Sequence, residues 1–268
     1  MDRIAGMQRI PGILVGIGTQ LLFLFTVWHL FHFLNGRHSN GEPGSLWIDV
    51  LLTMQYAVPH SLLLLPSVKK RLTKFIPTEF YGSFYCVATC LGLLVTFFFW
   101  RSNPHDVWRL EGVPRVAAQW MFYAAWGSLL YSLSLTGLGY QTGLTQWWYW
   151  LTKAKQPRRE FQPRSLYRFL RHPVYLSFMG LLWFTPTMTV DRLLLALIWT
   201  GYIFVGSYLK DERLAYFIGA PYREYQTRVA GYPFIFFGPL GRRHSHTRRA
   251  EPLVFPESLK PNQPKRAA

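Results

Sequence analysis

The sequence predicts an all-α integral membrane protein with about six transmembrane helices, and three observations predict it. Residues 11–34, 50–68, 80–100, 116–152, 173–190 and 193–209 contain no charged side chain. The 268 residues carry 29 Lys+Arg against 13 Asp+Glu, and this net charge of +16 lies between the apolar stretches. Half of the residues are hydrophobic and 18% aromatic, while only 16% are charged, against roughly 25% in an average soluble domain. The mean hydropathy of +0.09 averages apolar spans with basic loops. Two cysteines are too few for a disulfide scaffold.

A helix needs roughly 20 apolar residues to cross a ~30 Å hydrocarbon core. The spans expected on that basis are 11–34, 46–66, 80–100, 116–137, 173–190 and 192–209. The fourth ends near 137 because Gly137, Gly139 and Gly143 interrupt the run, and Trp147, Trp148, Tyr149 and Trp150 after it read as an interfacial aromatic belt. The last two spans form a hairpin turning at Val190–Arg192, followed by a short cytoplasmic helix. Residues 1–240 read as one membrane domain, with its cofactor-binding half at 160–235. Residues 241–268 are polar, proline-containing and basic, and read as a flexible cytoplasmic tail able to lie on anionic lipid.

Loop charges give an orientation, because Lys and Arg accumulate on the cytoplasmic side. Segments 1–10, 35–45, 67–78, 101–115, 138–172 and 210–268 carry +1, 0, +4, +1, +6 and +6, and the turn at Asp191-Arg192 is neutral. The alternation fits six spans with both termini cytoplasmic. The first segment reads as a retained span rather than a signal peptide. Basic residues that collect at span boundaries and in a tail argue against a nucleic-acid partner; the expected partners are a lipid bilayer and a small molecule.

Polar groups inside spans mark candidate functional positions, since ionisable residues in hydrocarbon are costly. His29 and His32 lie three apart on the first span, and His60 follows Pro59 in the second. Together they offer metal or haem ligands, but no ligand-spaced partner motif accompanies the pair, and hydrogen bonding between helices is the simpler role. No metal is therefore expected. Cys86 and Cys90 share one helical face and read as small packing residues.

The hairpin concentrates the chemistry. Segment 173–190 rises about 27 Å as helix, and 193–209 returns by a similar amount. Arg171-His172 and Asp211-Glu212 therefore come back to one surface. Pro173 suits a first helical turn, whose free N–H groups seat a carboxylate. A helix end near Leu209, with two carboxylates beside it, seats a cation. A zwitterionic ligand with an extra positive centre fits both.

The segment LYRFLRHPVYLSF…KDERLAYFIGAPYREYQ resembles the RHPxYxG…EE…G…Y..Y signature of the isoprenylcysteine carboxyl methyltransferase superfamily, which includes phospholipid methyltransferases and NnrU-like membrane proteins. Within it, PRSLYRFLRHPVYLSF, FTPTMTV at 184–190 and QYAVPHSLLLLPSVKKRLTKFIP at 55–77 look most like the bacterial methanethiol S-methyltransferases. The resemblance implies S-adenosyl-L-methionine as cofactor, bound by Arg171, His172, Pro173, Tyr175, Asp211 and Glu212, with Gly219, Tyr222 and Tyr225 closing over the adenosine. It implies methyl transfer to a small hydrophobic thiol such as methanethiol, giving dimethyl sulfide, in a bacterial inner membrane. The final Gly of the motif is Ser177 here, and Lys210-Asp211-Glu212 leaves the register of the acidic pair one residue open. A thiol reacts as its thiolate, for which His172, His60 and Glu212 are the candidate bases, in that order. Alternatives are a lipid or isoprenylcysteine acceptor, or a non-catalytic NnrU-like protein.

Overall fold

A computed structural model describes residues 9–36, 46–157 and 161–243. All of the expected basic tail beyond Arg243 lies outside these residues. In chain order the elements are α1 (Arg9–Leu34), α2 (Leu46–Leu63), α3 (Pro66–Leu72), α4 (Tyr81–Phe99), β1 (Asp106–Arg109), α5 (Gly112–Thr136), α6 (Leu138–Gln141) and α7 (Leu144–Thr152). They continue with α8 (Pro173–Trp183), β2 (Thr187–Thr189), α9 (Val190–Ile218) and α10 (Ala220–Arg228).

Apolar runs become helices because a helix satisfies its own backbone polar groups where no water does so. By length and composition α1, α4 and α9 are each able to cross a membrane, and α2 with α3 does so as a pair bent by 78°. The chain is thus a multi-pass membrane protein. Each of the six expected stretches contains a helix, the fifth only as far as Trp183, but the expected six spans narrow to three such helices, or four with the bent pair. α5 has 25 residues, yet Gln119, Ser128, Ser132 and Ser134 dilute it.

The expected hairpin of two equal arms is also corrected. α8 has 11 residues, a rise of about 16 Å. It stops at Trp183 because Pro186 lacks an N–H and disfavours helix at Thr185. The chain then runs extended, and β2 pairs antiparallel with β1, setting Trp108 opposite Met188 and Arg109 opposite Thr187. The fold is therefore mostly helical with one two-stranded ribbon, not all-α. In the other arm, α9 runs 29 residues straight through Asp211-Glu212, since neither proline nor glycine stands between Gly206 and Gly219. The helix end expected near Leu209 is absent, and Asp211 sits on a helical face.

The main core is an apolar cluster shared by α1, α2, α4, α5, α8 and α9, with Phe97, Phe122, Leu129, Leu181 and Ala196 at its centre; a smaller one joins Ala215 of α9 to Tyr222, Tyr225 and Val229 at α10. α7 packs into the molecule rather than along its rim. The Trp147 indole N–H donates to the Gly12 carbonyl at 2.8 Å, and its side chain is buried. Of the expected belt, Trp148 is exposed, while Trp147 and Trp150 face α1 over Gly12 and Gly16.

Candidate active site

Four segments converge where α8 begins. Pro173 opens that helix, and no side chain caps it. The two residues before it are held by their backbones: Arg171 N–H donates to the Ala230 carbonyl at 2.9 Å and His172 N–H to Gly231 at 3.2 Å. Residues 229–231 therefore run beside 171–172.

The Arg171 guanidinium is fully enclosed and uses its whole fork. Nε and Nη2 reach Asp211 Oδ2 at 3.0 and 2.9 Å. Nη1 donates to the carbonyls of Gln226, Val229 and Gly241 at 3.3, 2.5 and 3.0 Å, and Nη2 to Pro239 at 3.1 Å. An arginine has five N–H donors, and here they are directed into the protein, onto Asp211 and four backbone carbonyls. Asp211, 40 residues away, is equally occupied. The Tyr222 hydroxyl donates to its Oδ1 at 2.5 Å. His172 Nε2 stands 3.2 Å from the same oxygen, off the line of a hydrogen bond, so that both imidazole nitrogens are buried without a hydrogen-bond partner among the described residues.

Aromatic rings flank that imidazole, with the Tyr175 and Tyr232 centroids each 5.5 Å away. Lys210 Nζ lies 4.9 Å from the centroid of the Tyr175 ring. Glu212 points elsewhere and pairs with Arg243 at 2.6 Å. Gly219 has φ +79 and ψ −137, a conformation reserved for glycine. It turns α9 into α10 so that Tyr222 folds back onto Asp211 and the Tyr225 hydroxyl onto the Tyr167 carbonyl. Ser177, where the motif has Gly, bonds the Pro173 carbonyl and Ser128 of α5, each at 2.9 Å. It fastens α8 to α5.

The structure thus gathers Arg171, His172, Pro173, Tyr175, Asp211 and Tyr222 at one buried point. Glu212, Gly219 and Tyr225 border it. His60 stands in a different cluster on α2, against Tyr85 of α4. Both carboxylates of the expected cation seat already carry an arginine. The sequence reading did not single out Lys210, Gln226, Tyr232 or Arg243. The Gly-Tyr-Pro turn at 231–233 was the visible signal for Tyr232, but nothing local says that it returns to His172. Among the described residues no group of three or more His, Cys, Asp or Glu is placed to hold a metal ion.

Burial holds the His172 imidazole below its ordinary value of 6.5, against the pull of Asp211 and with Lys210 and Arg171 reinforcing it. An unfolded chain therefore takes up a proton at His172 at a pH where the folded chain does not. Stability contributed here should fall as pH drops below about 6.5. Thermal melts at successive pH values should show that loss, and His172→Asn should flatten it.

Two proteins named methanethiol S-methyltransferase are similar to this chain. That of Pseudomonas sp. (strain GM41(2012)) is 30% identical over 237 residues, 82% of this chain and 89% of its own length. That of Pseudomonas deceptionensis is 32% identical over 193 residues, 70% and 74% of the two chains. Nurim of Rattus norvegicus is 29% identical over 183 residues, 64% and 69%. No protein-family model matches the chain, and no solved structure does.

Proposed function

Since the chain belongs to the methanethiol S-methyltransferase family, we propose that it is an S-adenosyl-L-methionine-dependent methyltransferase that methylates a small thiol, methanethiol giving dimethyl sulfide. The observation that supports it most is the convergence of Arg171-His172 with Asp211 at 2.9 and 3.2 Å, at the uncapped start of α8. Both motif halves meet there, although 40 residues separate them.

The residues present fit the cofactor. The start of α8 offers free N–H groups and a positive dipole end, and the Lys210 ammonium nearby has no carboxylate partner among the described residues. Those groups suit a carboxylate. His172 Nδ1 and Gln226 Nε2 are buried without a partner among the described residues, and buried polar atoms of that kind call for one. They suit hydroxyls and ring nitrogens. The rings of Tyr175 and Tyr232 offer faces to a positive centre.

When bound, S-adenosylmethionine supplies the methyl group and its own leaving group. The chain's tasks are then to orient the reactants, exclude water and remove a proton. Arg171 and Asp211 neutralise each other and hold residues 226–241 over the site. They set geometry and contact no ligand. Lys210 and the α8 start orient the anionic end, His172 and Tyr222 fix the enclosed side, and the aromatic rings keep water out. In this reading the site opens on the cytoplasmic side of a bacterial inner membrane, with both termini cytoplasmic.

Membranes of a host expressing the protein, given methanethiol and methyl-labelled S-adenosylmethionine, should release labelled dimethyl sulfide. No labelled product above empty-vector membranes, with the protein folded and present, overturns the reading. Label entering a lipid or a prenylcysteine analogue instead would transfer the activity to that acceptor.

A further inference from the structure

A second cluster of polar and aromatic groups lies between α2, α4 and α9. His60 is near the end of α2, with Tyr85 Oη 3.0 Å from both ring nitrogens and Thr89 Oγ1 3.4 Å from Nδ1. Ring centroids of Tyr56, Tyr85 and Tyr202 stand 5.3, 5.3 and 6.4 Å from the imidazole. Tyr202 is fixed by a 2.8 Å hydrogen bond to Ser61. Trp199 lies against Tyr56, with ring centroids 5.6 Å apart and the planes tilted by 43°. These side chains are half-buried apart from Trp199, which is 7% exposed.

We propose that this cluster is the methyl-acceptor pocket, that it takes a small apolar thiol, and that His60 accepts the thiol's proton. The inference rests on the methyltransferase reading above and names the acceptor side of that site.

Three observations carry it. The first is accessibility. Of the candidate bases, His172 is 1% exposed and walled in, and Glu212 is engaged by Arg243. His60 is half-buried and touches neutral hydroxyls. The second is an unanswered donor. Trp199 Nε1 is buried with no partner among the described residues, and such a donor in apolar surroundings is costly unless an acceptor arrives. A thiolate sulfur is such an acceptor, and aromatic faces suit a methyl and a polarisable sulfur.

The third is continuity with the cofactor site. α9, which carries both Tyr202 and Asp211, packs against α2 and also against α8, where Tyr175 stands beside His172. Arg213 of α9 reaches the Leu64 carbonyl at 3.5 Å, which keeps the end of α2 against the same stretch of α9. Because Asp211 and Glu212 are already paired and Lys210 covers Tyr175, a sulfonium that reaches the cluster is left with the ring faces of Tyr56, Tyr85 and Tyr202. Ring faces attract such a cation. On this proposal the aromatic cluster would receive the positive methyl carrier beside the thiol.

In the proposed step the thiol S–H bond breaks and its proton passes to His60. The sulfur's electron pair forms the new C–S bond to the methyl carbon. The pair of the broken sulfonium C–S bond stays on the donor sulfur, which leaves neutral, and His60 returns its proton to water. Tyr85 is a positioning residue that holds the imidazole. Besides it, among the described residues, the titratable rings that face His60 are Tyr56 on its own helix and Tyr202 of α9. Tyr175 of α8 lies further off, capped by Lys210.

The test compares the full-length wild type, His60→Gln and Tyr85→Phe in membranes, measuring kcat and KM for methanethiol across pH together with equilibrium binding of S-adenosylmethionine. For His60→Gln, kcat/KM near pH 7 should fall about 100-fold or more. It should then climb about tenfold per pH unit toward the thiol's own pKa, where the thiol ionises unaided, while cofactor affinity stays unchanged. Tyr85→Phe keeps the ring and should lower kcat about fivefold with a pH profile displaced from wild type. Wild-type profiles in both variants overturn the inference, as does loss of cofactor binding in proportion to activity. A wild type that methylates no thiol overturns the methyltransferase reading itself, whereas failure of the inference alone needs an active wild type.

Discussion

Replacing Arg171 by methionine is expected to cost about 3–5 kcal/mol, the range for removing one partner of a buried ion pair. Asp211 would be left charged and enclosed, with only Tyr222 donating to it. Gln226 and Pro239 would keep their donors from Arg243, but the carbonyls of Val229 and Gly241 would lose the Arg171 donor at the same time. Those carbonyls recover hydrogen bonds only if residues 226–241 open to water, so the cap should detach before the helices separate. Hydrogen exchange and limited proteolysis of the purified protein should show protection lost first in that segment, with a lowered Tm. Arg171→Lys should not rescue it, because one ammonium has three donors and cannot span acceptors laid out for a planar fork. Arg171→Met combined with Asp211→Leu should recover much of the loss, since it removes the orphaned charge. An Arg171→Met protein with wild-type Tm and exchange would refute the lock.

Gly143→Ala is expected to displace α7 and to lower stability by about 1–3 kcal/mol, the usual range for overpacking. Gly143 has φ +77, and a Cβ there would lie 2.2 Å from the backbone nitrogen of Ser83. Backbone cannot swing aside as a side chain can, and the left-handed conformation itself costs an L-residue about 1–2 kcal/mol. The obstacle stands where α7 meets the start of α4, with Gly82 on the other side of the contact. Displacing α7 should withdraw Trp147 from α1, where its indole bonds the Gly12 carbonyl. Gly16→Val should act the same way, since its Cβ would fall 2.1 Å from that indole. Both variants should lower Tm and red-shift tryptophan emission. An unshifted spectrum with unchanged Tm would show that α7 is not seated as described.

Much of the fold was legible in the chain. Uncharged runs mark helices because an unsatisfied backbone in lipid is prohibitive and charged side chains are expelled, and each of the six expected stretches contains one. Their lengths were less legible. Apolarity alone does not say that Pro186 ends α8 at Trp183, or that the extended chain beyond it pairs with 106–109. Nor does a run of charges end a helix, which is why α9 continues through Asp211-Glu212 to Gly219.

At the site, the sequence by itself offered Arg171-His172 and Asp211 as partners across the last two apolar segments, and they do meet, although the first arm is a short helix completed by extended chain rather than a full helical span. What those residues do on meeting was decided by the tertiary structure. The sequence offered Asp211 and Glu212 as a cation seat, but folding closes Arg171 onto Asp211 and Arg243 onto Glu212. The carbonyls that complete the arginine's fork come from residues 226–241. Likewise Tyr56, Tyr85 and Tyr202 surround His60 from three helices. No local pattern announces such groupings, because a buried charge or donor must take whatever partner the packing brings within reach, however distant along the chain.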